Sequence, residues 1–278
     1  MLSRRNFLKS TGALTIGAFA LPYVATAAKV QNVGIQLYTV RNEMLKDAKK
    51  TLAQLAKLGY KELESARSAK GHYYGLSAKE IKQVTKDLGL NIRSGHVHID
   101  KDWQKTVDEA AESGQQYLIC SSLPTTGQTV SNYQQVAETF NKSAEACKKA
   151  NLIFGYHNHE YEFAKENGKT LYDVLLEETD PDLVKMELDL GWVIVTGHDP
   201  LHYFQKYPNR FPLWHLKDMK KDKEESTEFG TGRINITQMF ENAKKSGMKY
   251  FFVEQEEYAG EPMASVKHNI DYLKKLTF

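Results

Sequence analysis

The chain has 278 residues, 41% of them hydrophobic, 26% charged and 11% aromatic, with a formal charge of +2. That length and apolar share suit a single globular domain with a large core. The 37 basic residues nearly balance the 35 acidic ones, so the chain has no net attraction to a phosphate backbone or an anionic lipid surface, and nucleic acid is not expected as a partner.

Residues 1–27 read apart from the rest. Ser3-Arg4-Arg5-Asn6-Phe7-Leu8-Lys9 precedes an uncharged run from Ser10 to Val24 and then Ala25-Thr26-Ala27, the order of a basic region, an apolar region and an A-x-A cleavage site. The paired arginines followed by Phe-Leu-Lys resemble the twin-arginine export signal. A transmembrane anchor is the rival reading, but the run is short and carries two glycines and a proline. The expectation is export to the periplasm, with residues 28–278 as the folded part and no stable membrane insertion once the leader is cut. Losing Arg4, Arg5 and Lys9 leaves 34 basic residues against 35 acidic, a net of −1.

After the leader, short apolar runs alternate with helical patterns. Gly59, Gly89, Gly114, Asn151 and Gly247 each close a helix and open a strand, as at the αβ joints of a parallel sheet. Reading outward from these joints predicts strands near 33–38, 61–65, 91–98, 116–121, 152–158, 184–189, 212–217 and 250–254. Helices fall near 45–58, 77–88, 102–113, 132–150, 170–178, 200–207, 235–246 and 263–275, and Ser77 with Glu80 makes a capping box for the second. Cys120 and Cys147 fall in an apolar strand and an amphipathic helix, which points to buried thiols. Eight strand-then-helix units fit a single (β/α)8 TIM barrel, with an open doubly wound sheet as the alternative. No phosphate-cradling glycine loop follows any strand, which disfavours that alternative. The charged, glycine-containing stretch Lys220 to Arg233 reads as a mobile loop over the barrel mouth.

Barrel active sites lie at the C-terminal strand ends, and six of those ends carry polar residues spaced by two. The pairs are Glu62 and Glu64, His96 and His98, His157 and His159, Glu187 and Asp189, His215 and Lys217, and Glu254 and Glu256. Side chains two apart on a strand share a face, so each pair is expected to point one way. Five of the nine histidines therefore stand where Val, Ile or Leu is the default. Imidazoles and carboxylates meeting without a cysteine suit one divalent metal ion; manganese, zinc, cobalt and magnesium all remain open.

Several motifs carry a resemblance: Gly34-Ile35-Gln36-Leu37-Tyr38-Thr39-Val40-Arg41, Tyr156-His157-Asn158-His159, Leu188-Asp189-Leu190-Gly191-Trp192, His215-Leu216-Lys217-Asp218 and Val253-Glu254-Gln255. Through them residues 28–278 resemble the xylose isomerase-like barrel superfamily, which takes in sugar phosphate isomerases and epimerases and inosose dehydratases. The resemblance implies a metal held by His157, Asp189, His215 and Glu254. His157 stands where that superfamily commonly has Glu, so Glu160 and Glu162 stay open as the strand-five ligand. It further implies His159 as the residue that handles protons, with Lys217 and Glu160 as further catalytic candidates. Arg41, Glu64, His96 and Trp192 are expected as substrate contacts, Trp192 occupying the place where several relatives have a second catalytic His.

The chemistry so implied is removal of a proton next to a carbonyl, leading to isomerisation, epimerisation or elimination. An exported protein without an Arg/Lys cluster at the seventh and eighth strand ends is expected to take an unphosphorylated sugar, keto-sugar or 3-keto-glycoside. A nuclease and a non-catalytic sugar-binding barrel are the rival readings, and association into a homo-oligomer is left open.

Overall fold

The structure, a computed structural model, describes residues 28–278; the leader read in residues 1–27 lies outside the described residues. Eight parallel strands close into a barrel: β1 (Gly34–Gln36), β2 (Glu62–Ala66), β3 (Asn91–Val97), β4 (Tyr117–Cys120), β5 (Ile153–His157), β6 (Val184–Asp189), β7 (Leu213–Leu216) and β8 (Tyr250–Val253). Each pairs with its neighbours in sequence, and β8 closes on β1 through Gly34↔Phe252 and Ile35↔Val253. Around them run α1 (Arg41–Leu58), α2 (Ala78–Asp87), α3 (Trp103–Ser113), α4 (Val130–Lys149), α5 (Leu171–Glu178), α6 (Leu190–Val195), α7 (Pro200–Lys206), α8 (Ile236–Glu241), α9 (Ala243–Ser246) and α10 (Pro262–Lys275). The fold is the expected (β/α)8 barrel.

The joints work as the sequence implies. Gly59, Gly89, Gly114, Asn151 and Gly247 all have positive φ, so the chain reverses within one residue and enters the next strand. Ser77 and Glu80 form the capping box of α2. Both cysteines are free and buried. None of the helices among the described residues is long and apolar enough to cross a membrane.

Four segments differ from expectation for local reasons. The first strand stops at Gln36, whose side-chain oxygen accepts the Tyr38 N–H at 3.1 Å and turns the chain into a short 3-10 helix, Leu37–Val40. Helix α1 then starts at Arg41 and breaks at the extended residue Asp47, whose Oδ1 accepts the Lys50 N–H at 3.0 Å and opens its second stretch. An unexpected helix, α6, begins directly after β6 because Asp189 Oδ1 accepts the Trp192 N–H at 2.9 Å. The helix expected over 235–246 is divided at Asn242 into α8 and α9.

The stretch from Lys220 to Arg233 is not the loose loop its composition predicts. The Asp218 carboxylate accepts the backbone N–H groups of Met219, Gly230, Gly232 and Ile234, at 2.9 to 3.1 Å. Gly232 has to be glycine here, since a Cβ would stand 2.1 Å from Asp218 Oδ1 and 2.4 Å from Met219 O. Asp218–Met219 also pairs antiparallel with Ser226–Thr227.

Two apolar layers hold the barrel. The outer one packs strands on helices, with Phe140 against Phe154 and Tyr156, and Trp214 stacked on Phe204 at 5.0 Å. The inner one is formed by Tyr117, Ile119, Leu213 and Phe252. Phe252 reaches the interior because Gly34 opposite has no Cβ, which would lie 2.8 Å from its ring. By strand alternation this layer lies directly below His215 and Glu254, two residues further along β7 and past β8, and so forms a floor for the mouth.

Candidate active site

Above that floor the strand ends bring seven chemistry-bearing side chains together. Glu64, Glu187, Asp189 and His215 are fully buried, His157 and Glu254 nearly so, and His96 faces the same group with 12% of its side chain exposed. The register explains the convergence: His157 pairs with Glu187 across β5 and β6, and Asp189 with His215 across β6 and β7.

The four residues expected to hold a metal form one compact group. Each of His157, Asp189, His215 and Glu254 offers a ligand atom, and these atoms lie within 4.8 Å of one another. His215 Nδ1 is 2.9 Å from Glu254 Oε2, and His157 Nε2 is 3.4 Å from Asp189 Oδ2. Both ring nitrogens of His157 are buried without a hydrogen-bond partner among the described residues. Buried polar atoms are rarely left so, and an imidazole whose one free lone pair is unused, grouped with His215 and the Asp189 and Glu254 carboxylates, gives a donor set that suits a divalent cation. The residues present fit the ion. Ligand atoms of His96, His157, Glu187 and His215 also lie within 4.8 Å of one another, so the cluster extends inward beyond the expected four.

The inner carboxylates brace this group. Glu64 Oε2 is 2.6 Å from His215 Nε2 and accepts from Gln36 Nε2 at 2.8 Å, while Glu187 Oε2 is 2.7 Å from His96 Nε2. A carboxylate on the far nitrogen of a ligating histidine fixes the ring and its tautomer. Burial raises the pKa of Glu64, and that of Glu187 to about 7. Burial alone lowers that of His215, but Glu187 and Glu254 outweigh it and hold the ring proton well above the usual histidine range. Glu64, expected at the mouth as a substrate contact, is instead a buried positioning group.

Lys217 is the cation of the site. Its Nζ lies 3.1 Å from Asp189 Oδ2, 2.9 Å from Glu254 Oε2 and 2.7 Å from Glu256 Oε1, and 4.7 Å above the Trp192 ring. Burial opposes the charge, yet Asp189 and Glu254 hold it well above the ordinary lysine pKa. It is committed to carboxylates, which leaves it protonated.

A cleft of about 260 Å³ opens over this cluster, walled by Tyr38, Arg67, His96, His98, His157, His159, Trp192, Glu254 and Glu256, among others. His159 meets the His157 ring edge-on at 4.8 Å and stacks on Tyr161 at 5.3 Å, with its Nδ1 3.2 Å from Tyr161 Oη. Burial, and then the charge of Lys217, push its pKa down to about 3.

Three sequence assignments are corrected by position. Glu160 is exposed in the turn that follows the end of β5 at His157, and it does not line the cleft. Glu162 is buried, but its carboxylate bonds Tyr156 Oη and the His159 backbone N–H, so neither acid replaces His157 as a ligand. Arg41 donates to the Tyr38 and Glu256 carbonyls, tying the chain after β1 to the chain after β8 outside the cleft. Glu62 also parts from Glu64: it starts β2 at the opposite end of the barrel, paired with Arg93 at 2.5 Å. The residues not foreseen as part of the site are Tyr38, Arg67 and Ser121 on the wall and Gln36 behind it.

Comparison with known proteins agrees with this geometry. The profile of the family described as Xylose isomerase-like TIM barrel matches residues 52–276. The chain is similar to the inosose dehydratase of Clostridium tetani, 33% identical over 94 residues, which cover 34% of this chain and 31% of that one. Matched stretches thus span about a third of the first curated relatives. A solved sugar phosphate isomerase/epimerase from Parabacteroides distasonis superposes with a TM-score of 0.76 at 30% identity, covering 93% of this chain and 98% of that one. A xylose isomerase-like TIM barrel protein from Mycobacterium smegmatis, solved in complex with magnesium, shares the fold, with a TM-score of 0.65 at 15% identity over 88% and 95% of the two chains.

Proposed function

Because the chain belongs to the xylose isomerase-like TIM barrel family, we propose that it is a divalent-metal-dependent enzyme that removes the proton next to a carbonyl of an unphosphorylated sugar or keto-sugar. The observation that carries the reading is the convergence of His157, Asp189, His215 and Glu254 directly beside His159 in one cleft. An ion held there supplies Lewis-acid polarisation of the substrate oxygens. Zinc, magnesium, manganese and cobalt all suit the donor set.

The chain's own residues do the rest. Burial and the Lys217 charge favour the neutral form of His159, and the tautomer in which Nδ1–H donates to Tyr161 Oη leaves Nε2 as the acceptor for the α-proton. It is a weak base in the empty cleft. Negative charge developing on the substrate offsets the imidazolium that forms, so the transfer becomes easier as it proceeds. Lys217 keeps Asp189 and Glu254 in place, and Trp192 under its ammonium helps enclose that side of the cleft. The wall holds one arginine and no cluster of cations to grip a phosphate, which supports an unphosphorylated substrate.

Isomerisation or epimerisation follows if the proton returns to a neighbouring carbon or to the other face of the same carbon. Elimination is the second reading, and the inosose dehydratase relatives favour it. It needs an acid for the departing hydroxyl; Glu256, whose pKa burial raises, lines the cleft and fits that part. A screen of metal-loaded protein against neutral ketoses, keto-sugars and 3-keto-glycosides, with products resolved by NMR, tests the class. A rearranged sugar of unchanged mass supports isomerisation or epimerisation, loss of water from a keto-sugar or release of the aglycone from a 3-keto-glycoside supports elimination, and no turnover of any of them opposes the reading.

Export through the twin-arginine route is part of the same proposal, since it lets a metal centre be assembled before secretion. Replacing Arg4 and Arg5 with Lys should strand the precursor inside the cell. Undiminished export of that variant would contradict it.

A further inference from the structure

The cleft over the metal-binding group does not end at its wall. Arg67 and His98 line it and also line a second hollow of about 570 Å³. That hollow lies between the segment after β2 and the start of α3. At about 260 Å³ the inner cleft falls just short of the roughly 300–1,000 Å³ typical of ligand sites, whereas the two spaces together are well within it. The inner cleft has room for a single ring.

The wall between β2 and α2 is built rather than frayed. Ser68 and Gly71 exchange backbone hydrogen bonds at 3.1 Å, and Tyr73 is buried with its hydroxyl on Gln115 Oε1 at 2.9 Å. At the junction, His98 Nδ1 is fixed 2.5 Å from Ser122 Oγ, and its Nε2 has no partner among the described residues. The Arg67 guanidinium likewise has no hydrogen-bond or carboxylate partner among them. The outer lining mixes three basic with four acidic residues, so it has no sign surplus for an anion. Dense donors and acceptors of both kinds match hydroxyl groups.

We propose that the substrate is a two-unit saccharide, with the reacting ring in the inner cleft and a second, hydroxylated sugar in the outer hollow, and with Arg67 and His98 at the linkage between them. This rests on the carbohydrate reading above and narrows it from sugars in general to disaccharides.

Binding can be read without turnover. Calorimetry or ligand-observed NMR on the full chain supplied with Mg²⁺ would compare glucose, galactose and mannose with maltose, cellobiose, lactose and mannobiose, and with p-nitrophenyl glucosides. For at least one ring the disaccharide is expected to bind about tenfold or more tightly than the monosaccharide, a gain of one or two hydrogen bonds. Lys105, on α3, lines only the outer hollow and its side chain is 75% exposed, so Lys105→Trp fills that space without disturbing the core. That variant should bring the disaccharide-to-monosaccharide ratio down to about one. Equal affinity for one and two units, or tighter binding of the aryl glucosides, overturns the two-unit proposal and leaves the proton-transfer reading intact. Failure of every saccharide to bind the Mg²⁺-supplied protein overturns both.

Discussion

Glu162 holds His159 from behind: its Oε2 accepts the His159 backbone N–H at 2.8 Å, while Oε1 takes the Tyr156 hydroxyl. The carboxyl is fully buried, and that burial raises its pKa to about 7. A raised carboxyl pKa means that the folded state binds the proton more tightly than the unfolded one. Its contribution to stability is therefore complete below the unfolded value near 4.5 and is lost as pH rises to about 7. The loss is on the order of a few kcal/mol. Melting temperature should fall across that window, and Glu162→Gln, which cannot ionise, should flatten the fall; an unchanged pH profile in that variant would oppose the assignment.

Lys217 offers a second test, because it and the metal would neutralise the same carboxylates. Removing one partner of a buried ion pair destabilises by about 3–5 kcal/mol, since the remaining charge is left uncompensated. Lys217→Met without metal should melt well below the parent. Added Zn²⁺ or Mn²⁺ should raise its melting temperature by more than it raises the parent's. Equal metal-induced shifts would mean that Lys217 and the ion do not share Asp189 and Glu254.

Asp218 ties the connection after β7 through four backbone N–H groups. Asp218→Ala should release that segment. Four lost charge-assisted bonds predict destabilisation of about 3 kcal/mol or more and faster proteolysis between 220 and 233. Limited proteolysis with mass spectrometry checks it, and a parent-like cleavage pattern would count against the tether.

Most of the fold could be read from the chain because its joints are chemically explicit: at Gly59, Gly89, Gly114, Asn151 and Gly247 a residue at positive φ ends a helix just before a strand begins. The site was legible where strand alternation holds. His157, Asp189, His215 and Glu254 stand in four of the pairs that alternation picks out, the resemblance implies those four as ligands, and the structure groups them. Spacing by two does not say which end of the barrel a residue occupies, so Glu62 was read into the mouth although it opens β2 at the far end. Glu160, named through the resemblance and not through alternation, falls in the turn after β5 and is exposed. The return of Glu162 onto Tyr156 depends on a turn that no local pattern announces. Arg67 follows the last residue of β2, Ala66, and was missed because that strand runs one residue further than its composition suggests.

The central claim is that His159 takes a proton from a substrate bound beside the metal-binding residues. The most direct measurement is deuterium incorporation next to the carbonyl of unphosphorylated keto-sugars in heavy water, with the metal content of each protein measured alongside. Parent protein should incorporate deuterium. His159→Ala should keep its metal and lose about 10²- to 10⁴-fold in exchange rate, whereas His157→Ala should lose the metal as well. Parent-like exchange in His159→Ala, or no exchange by the metal-loaded parent on any keto-sugar, would contradict the account.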